Sequence, residues 1–248
     1  MAAVPHEVGL TPAHRRRLRD MWRSAGWPCH DMLELDLLAA GLLQRHWDNQ
    51  GRETLRVTDA GIELLAQTRR RNQAAFNAHE TLVQRVALDM QRSGRVVWRG
   101  LSLRAPLVDA AGHTTWAIAM PDVYSIRHTT VENYVEPIVH EIKVSRADLL
   151  SDLRAVHKNA AYRALASQCW YVLREGIANA DEVPADCGVM FAGAQDLEVA
   201  RPAPRRALRL PFAAWMVLAR ATPDSTADEE GAQAWLAAGA VDCSDART

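Results

Sequence analysis

The chain has 248 residues, of which 48 % are hydrophobic, and its net charge is −1. This length allows one large domain or two small ones, and the composition supports a sizeable core. The near-neutral charge excludes a protein whose whole surface is a basic nucleic-acid contact. No apolar run approaches the ~18 residues of a membrane span, and the first residues lack a signal-peptide core. We therefore expect a cytoplasmic protein without a membrane partner.

Basic residues and cysteines are distributed in an informative way. Of the 29 basic residues, 27 are arginine and only two, Lys143 and Lys158, are lysine. In such a background we expect a lysine where a guanidinium cannot replace a compact ammonium. The four cysteines lie far apart and form no C-x-x-C pair, which argues against a zinc cluster.

The N-terminal part has the pattern of two helices, a hairpin and a third helix. Thr11 can cap the first helix, and Pro12 suits its first position. The predicted elements are helices over 12–25 and 30–41, a hairpin through LLQRHW, DNQGR and ETLRVT, and a helix capped by Thr58. The segment AAGLLQRHWDNQGRETLRVTDAGIELL resembles a winged-helix domain. We assign residues 1–71 to this small winged-helix-like domain.

The rest of the chain predicts an α/β domain over 72–200 and a C-terminal segment over 201–248. The domain's strands are rich in β-branched and aromatic residues. Its predicted elements are a helix over 72–92, strands over 95–103, 114–127 and 135–145, a helix over 147–166, and strands over 168–173 and 187–192. The C-terminal segment predicts a basic connection, a helix in FAAWMVLARA and, from Asp224, a loosely held acidic tail.

Three charged residues in this domain form a candidate catalytic group. Glu141 and Lys143 lie two apart in one predicted strand, so they point to the same face while Ile142 points to the other. Asp122 lies late in the preceding predicted strand, and pairing of the two strands would bring its carboxylate to the same place. Two hard carboxylates suit Mg²⁺ or Mn²⁺, and a lysine suits the charge that develops in phosphodiester hydrolysis.

Pro121-Asp122 followed by Glu141-Ile142-Lys143 resembles the PD-(D/E)XK nuclease superfamily. The stretch EIKVSRADLLSDLRAVHKNAAYRALASQCWYVL, followed by VPADCGVMF, is similar to its MmcB-like DNA-repair branch. The resemblance covers roughly residues 76–200. It implies a restriction-endonuclease-like core with a mixed central sheet, and catalytic roles for Asp122, Glu141 and Lys143.

The resemblance implies further site residues. In this superfamily a helix before the first strand often presents a metal-binding Glu, and Glu80 occupies the matching place. A Gln near the site often supports the substrate, and Gln168 matches it. Lys158 and Tyr162 lie four apart on the intervening helix, so they share a face from which they could reach a phosphate.

Several of these residues also have ordinary structural interpretations. Glu141 and Lys143 could form a solvated ion pair on an edge strand. Asp122 could be a turn residue, and Glu80 an exposed helical residue. Capping or decorating the following helix is the simpler expectation for Ser145, Asp148 and Asp152. His140 alternates to the opposite face, where a packed histidine is the simpler expectation.

The N-terminal domain is a candidate DNA contact. Its predicted wing contains three arginines, Arg45, Arg52 and Arg56, that could bind phosphates. Three acidic residues in the second helix argue against its insertion into a major groove. Because winged helices also dock proteins, a protein partner is a second option, and a homodimer stays open.

The sequence thus predicts a Mg²⁺- or Mn²⁺-dependent nuclease that hydrolyses DNA, in repair or in processing of foreign DNA. The alternative from another class is an inactive module that keeps the nuclease fold to bind nucleic acid or protein. A third interpretation is a transcription regulator that acts through the winged helix. It would leave Asp122, Glu141 and Lys143 unexplained.

Overall fold

The computed structural model describes residues 9–109, 111–194 and 196–224, so of the predicted acidic tail only Asp224 is described. The chain divides between Phe76 and Asn77 into two compact units. Among the described residues, no helix combines the length and the hydropathy needed to cross a bilayer.

The first unit contains the two helices and the hairpin that the sequence predicts. They are α1 (Pro12–Arg23), α2 (Met32–Ala39), β1 (Leu43–Trp47) and β2 (Glu53–Val57), followed by the start of α3 (Asp59–Arg92). The Thr11 hydroxyl accepts a hydrogen bond from the backbone N–H of His14 and so caps α1. Leu18, Leu37 and Leu55 form the centre of a small apolar core.

A buried glutamate, Glu34, ties α2 to the segment that precedes it. Its carboxylate accepts hydrogen bonds from the backbone N–H groups of Cys29 and His30, both at 2.8 Å. The Arg17 guanidinium donates a further hydrogen bond at 3.1 Å. Asp31 caps α2 and Asp36 contacts His14, so the three acidic residues of this region all have partners within the unit.

One helix, α3, replaces the two that the sequence predicts on either side of residue 71. It runs unbroken over 34 residues. The junction Arg69–Gln73 contains neither Gly nor Pro, and its arginines and glutamine have good helix propensity, so nothing there ends the helix. The division between the units falls inside α3 and not in a linker.

The second unit is built on a six-stranded mixed sheet, which confirms the α/β class. Its strands are β3 (Arg95–Arg99), β6 (Val123–Arg127), β7 (Ile138–Lys143), β8 (Gln168–Arg174), β9 (Gly188–Ala192) and β10 (Leu197–Arg201). Their order in the sheet is β10-β9-β8-β7-β6-β3. The central strands β7, β8 and β9 run parallel, and the outer pairs are antiparallel.

The structure divides elements that the sequence predicts as continuous. The remaining strands, β4 (Leu103–Val108) and β5 (Thr114–Ala119), form a separate two-stranded hairpin. Gly100, with φ +65°, turns the chain between β3 and β4, and Pro121 separates β5 from β6. The predicted helix 147–166 is likewise two helices, α4 (Arg146–Leu153) and α5 (Val156–Leu165). The strand β10 was not predicted.

The two faces of the sheet are covered by different elements. The face that bears Ile142 packs against the apolar side of α3, including Leu82 and Val86. The face that bears Val139 packs against Leu149 of α4 and Leu165 of α5. Short 3-10 helices span Glu132–Tyr134 and Ala180–Glu182, and α6 (Phe212–Arg220) lies where a helix was predicted.

Candidate active site

The strand β7 brings Glu141 and Lys143 into the interior of the second unit. It lies between β6 and β8 and is therefore not an edge strand. Glu141 and Lys143 are only 3 % and 5 % exposed. The interpretation of these residues as a solvated pair on an edge strand is therefore wrong. Ionised groups at such burial require partners, because an unpaired buried charge is costly.

Asp122 lies beside them, as the sequence predicts, because β6 and β7 pair. Val123 pairs with His140, so Asp122, one residue earlier, continues this register opposite Glu141. Its Oδ2 accepts a hydrogen bond from the backbone N–H of Ile142 at 2.7 Å, and His79 Nε2 of α3 lies 3.5 Å away. Asp122 is therefore fixed to β7 rather than to a turn.

Both lysines of the chain converge on one oxygen of Glu141. Lys143 Nζ lies 2.7 Å, and Lys158 Nζ 2.6 Å, from Glu141 Oε1. The second oxygen, Oε2, accepts a hydrogen bond from the hydroxyl of Tyr162 at 2.8 Å. The prediction that Lys158 and Tyr162 share a face is confirmed, and that face contacts Glu141.

A second buried carboxylate, Asp152, completes what we call the lysine cluster: Glu141, Lys143, Asp152 and Lys158. Asp152 accepts hydrogen bonds from Lys158 Nζ and, at 2.8 Å, from the Tyr171 hydroxyl. Lys143 Nζ lies 3.6 Å from it. With two carboxylates and two ammonium groups, the cluster carries no net formal charge.

Asp152 was expected only to decorate its helix, and this expectation is wrong. It lies three residues after Leu149, which is fully buried, so both occupy the inward face of α4. An acid at a core position of an amphipathic helix was the signal that could have identified it. Ser145 does cap α4, and Asp148 lies 3.5 Å from Lys143 Nζ.

Burial and charge perturb the groups of the cluster in opposite ways. Burial, and then the negative charge of Asp122, raise the pKa of Glu141 against the effect of the lysines. Burial alone would lower the pKa of Lys143, but the carboxylates of Glu141 and Asp152 outweigh it, and the pKa is raised. The pKa of Lys158 is raised for the same reason. Both lysines are therefore firmly protonated.

A cavity of about 210 Å³ extends from Glu141 beneath α5. Its lining includes Tyr162, Tyr171 and Asn159, and its far end includes Cys169 and Cys187. Tyr171 pairs with Glu141 in the register of β7 and β8, and its hydroxyl contacts Asp152 and Asn159. Of the four residues of the lysine cluster, Glu141 alone lines this cavity.

The structure does not bring Gln168 or Glu80 into the cluster. Gln168 opens β8 beside Ile138, three residues before Glu141 on β7, and its amide donates to the carbonyl of Ala203. Glu80 has a half-exposed side chain whose contact is with His79. The position next to Asp122 belongs to His79, and hydrogen bonding to Asp122 raises the pKa of His79.

The remaining candidates have clear positions. His140 points away from Glu141 and is buried, as expected for a packed histidine, and burial lowers its pKa to about 3. In the first unit, Arg45 contacts Glu53 and Arg52 contacts Asp48. Arg56 is exposed, and within the described ranges it has no ion-pair partner.

The described residues offer a pair of carboxylates, rather than a larger group of donors, for the predicted metal ion. Among residues 9–109, 111–194 and 196–224, no three His, Cys, Asp or Glu side chains are grouped to hold a metal ion. Asp122 and Glu141 remain as a pair of neighbouring carboxylates. Mg²⁺ commonly takes one or two protein carboxylates, with water and substrate phosphate as its other ligands. The donor chemistry of this pair therefore fits a hard divalent cation.

Comparison with known proteins gives little further information. No protein-family model and no curated protein matches the sequence. A solved structure of a protein of unknown function from Silicibacter pomeroyi matches with 21 % identity and a TM-score of 0.39. The match covers 64 % of this chain and 89 % of the other.

Proposed function

We propose that the protein is a divalent-metal-dependent nuclease of the PD-(D/E)XK type that hydrolyses DNA, in repair or in processing of foreign DNA. One observation carries the proposal: Asp122, Glu141 and Lys143 meet on two paired strands, and both lysines of an arginine-rich chain lie at this place. The order of α3, the antiparallel strands β3, β6 and β7, the helices α4 and α5, and the parallel strand β8 is compatible with that fold.

Asp122 and Glu141 would hold the cation. Bound there, Mg²⁺ or Mn²⁺ would polarise a phosphoryl oxygen and supply an activated water. Asp122 is positioned for this by the backbone N–H of Ile142, and no described group hydrogen bonds its Oδ1. Glu141 is positioned by the Tyr162 hydroxyl.

Lys143 would supply positive charge to the phosphate. Its ammonium is held on β7 by Glu141 and lies near Asp148 and Asp152, so its direction is set before any substrate arrives. Preorganised charge of this kind stabilises the transition state more than the ground state. Because its pKa is raised, Lys143 acts as a cation and not as a proton acceptor.

The first unit would help to hold the DNA. Its hairpin carries Arg45, Arg52 and Arg56, consistent with the winged-helix resemblance. Of these three arginines, Arg56 alone has no ion pair with a described residue, so we infer a modest, phosphate-directed contribution. Docking of a protein partner by this unit is the other role that we consider.

The experiment that tests the nuclease proposal is nicking of plasmid and oligonucleotide DNA with Mg²⁺ or Mn²⁺, with EDTA as the negative control. Asp122→Ala should lose both cleavage and Mn²⁺ binding, measured by calorimetry, because it removes a ligand. Arg174→Ala, which removes an exposed charge at the end of β8, should cleave like the parent. A parent that cuts no substrate would contradict the proposal.

One observation favours a second candidate, an inactive nucleic-acid- or protein-binding module. Three donors already satisfy Glu141, so the lysine cluster is complete without any other group. Such a module would bind DNA or a partner equally well with EDTA and with Mg²⁺, and Asp122→Ala would not change its binding.

A further inference from the structure

We propose that Lys158 competes with a divalent cation for the Glu141 carboxylate. Lys158 would leave Glu141 when the cation binds and would remain attached to Asp152. The inference rests on the proposed metal-dependent function and deepens it. It assigns Lys158 as a positioning residue that sets metal affinity, and Asp152 as its second partner.

The competition follows from the contacts of Glu141. Lys158 Nζ lies 2.6 Å from Glu141 Oε1, the same oxygen that Lys143 contacts at 2.7 Å. The other oxygen is taken by Tyr162. A divalent cation at ion-pair distance from this carboxylate would meet two ammonium groups in a buried site, where like charges repel strongly. At least one ammonium must move away.

Lys158 is the lysine that can move. Lys143 lies on the central strand β7 and its side chain is only 7 % exposed, whereas the Lys158 side chain on α5 is 30 % exposed. Lys158 also has a second carboxylate at hand, since Asp152 already accepts its hydrogen bond. Tyr171 donates a hydrogen bond to the other oxygen of Asp152 and fixes it in place.

The formal charges support the same conclusion. Within the five groups Asp122, Glu141, Asp152, Lys143 and Lys158, three carboxylates face two ammonium groups, which leaves one net negative charge. Without the Lys158 charge, the same groups would present two negative charges to a cation of charge +2. A variant with an uncharged side chain at position 158 should therefore bind the metal more tightly than the parent does.

The first test is calorimetric titration of the full chain with Mn²⁺. Lys158→Met, which keeps a chain of similar length without the charge, should bind Mn²⁺ at least tenfold more tightly than the parent. Lys158→Arg keeps the charge and should stay close to the parent. Arg174→Met removes one exposed positive charge in the same unit and controls for a general electrostatic effect.

The second test needs no substitution that alters the cluster's charge. Because the chain has only two lysines, protein labelled with ¹³Cε-lysine should give two lysine signals, which Lys158→Arg assigns. Titration with Mg²⁺ should shift the Lys158 signal more than that of Lys143. This measurement remains decisive if Lys158→Met folds poorly.

The outcomes separate this inference from the proposed function. If the parent binds Mn²⁺ but Lys158→Met binds it no more tightly, or if Mg²⁺ leaves the Lys158 signal in place, competition is overturned while the nuclease proposal stands. If the parent and all variants bind no Mn²⁺, the metal-dependent function itself is overturned, and the competition with it.

Discussion

Within the described part of each unit one glutamate is buried, and the two are held in different ways. Glu34 is 2 % exposed and Glu141 is 3 % exposed. Two backbone N–H groups and the Arg17 guanidinium bind Glu34. In contrast, the described groups that bind the Glu141 carboxylate are all side chains: Lys143, Lys158 and Tyr162.

The difference indicates that Glu34 stabilises the fold, whereas Glu141 has contacts that can be exchanged. Backbone donors cannot leave without unfolding the segment that carries them, so Glu34 keeps its hydrogen bonds as long as this segment is folded. Side-chain donors can rotate away, so Glu141 can exchange one partner for another. Burial and the neighbouring Asp122 also raise the pKa of Glu141, as is common where a protein prepares a group for reaction. Four predictions test this distinction.

The largest effect should come from Lys143. We expect Lys143→Ala to lower the cleavage rate by about 10²–10³-fold, because it removes a preorganised charge. Mn²⁺ binding, measured by calorimetry, should persist. Lys143→Arg should also fail, since a planar fork cannot occupy the position of an ammonium. Cleavage by Lys143→Ala at the parental rate would show that this side chain is not catalytic.

Glu34 should instead affect stability. Glu34→Ala leaves two backbone N–H groups without their acceptor and removes one of the two carboxylates that bind Arg17, the other being Asp31. Each buried donor left unsatisfied costs about 1–3 kcal/mol. Urea denaturation of the full chain measures this loss in the transition of the first unit. Asp36→Ala, whose partly exposed side chain contacts only His14, should cost less than about 1 kcal/mol. Equal losses for the two variants would remove the distinction between Glu34 and an ordinary surface acid.

His140 directly precedes Glu141 in β7 but lies on the other face of the sheet, so its titration should change stability alone. Burial, and then the charge of Arg95, lower its pKa to about 3, below the ~6.5 of the unfolded chain. Its contribution to stability is thus complete above pH 6.5 and is lost as the pH falls toward 3. The loss should be about 1.4 kcal/mol per pH unit.

Comparison with His140→Leu isolates this histidine, because the other titrating groups are common to both proteins. His79 has a raised pKa, so its opposite contribution is already complete below pH 6.5. Denaturant midpoints between pH 7 and pH 5 should therefore fall more steeply for the parent than for His140→Leu. An equal dependence of the midpoint on pH in the two proteins would mean that His140 can be protonated in the folded state.

The smallest effect concerns the arginines of the first unit, which differ in whether an acidic residue pairs with them. Asp48 holds Arg52, whereas Arg56 has no ion pair among the described residues. Arg56→Ala should reduce the slope of log affinity for DNA against log salt by about 1, and Arg52→Ala should reduce it less. Fluorescence anisotropy over a salt series measures both slopes. Unchanged slopes would favour a protein-docking role for this unit.

Local patterns were enough to predict the α/β class and the position of the central charged group. Glu141 and Lys143 alternate with Ile142, and this period of two fixed which residues share a face. Pairing of β6 with β7 then followed from two adjacent strands in one sheet. The i, i+4 spacing of Lys158 and Tyr162 was equally reliable, because helix geometry fixes it.

Contacts that depend on breaks between elements or on strand register could not be predicted in this way. The contact between Asp152 and Lys158 depends on the break between α4 and α5, which no Gly or Pro marks. Gln168 was placed by analogy with a family, and the register of β7 with β8 puts it three residues from Glu141. The continuity of α3 is not evident from the sequence because the polar run Arg69–Gln73 has the composition of a linker, although arginine and glutamine favour helix.

The confinement of both lysines to one buried cluster also determines how the protein can be modified. Amine-reactive labels and crosslinkers acylate only neutral amines, and the raised pKa values of Lys143 and Lys158 keep these amines protonated. No other side chain in the chain offers a primary amine. Reagents directed at lysine side chains should therefore leave the folded protein nearly untouched. Any acylation of Lys158 that does occur would report that its ammonium has left the two carboxylates.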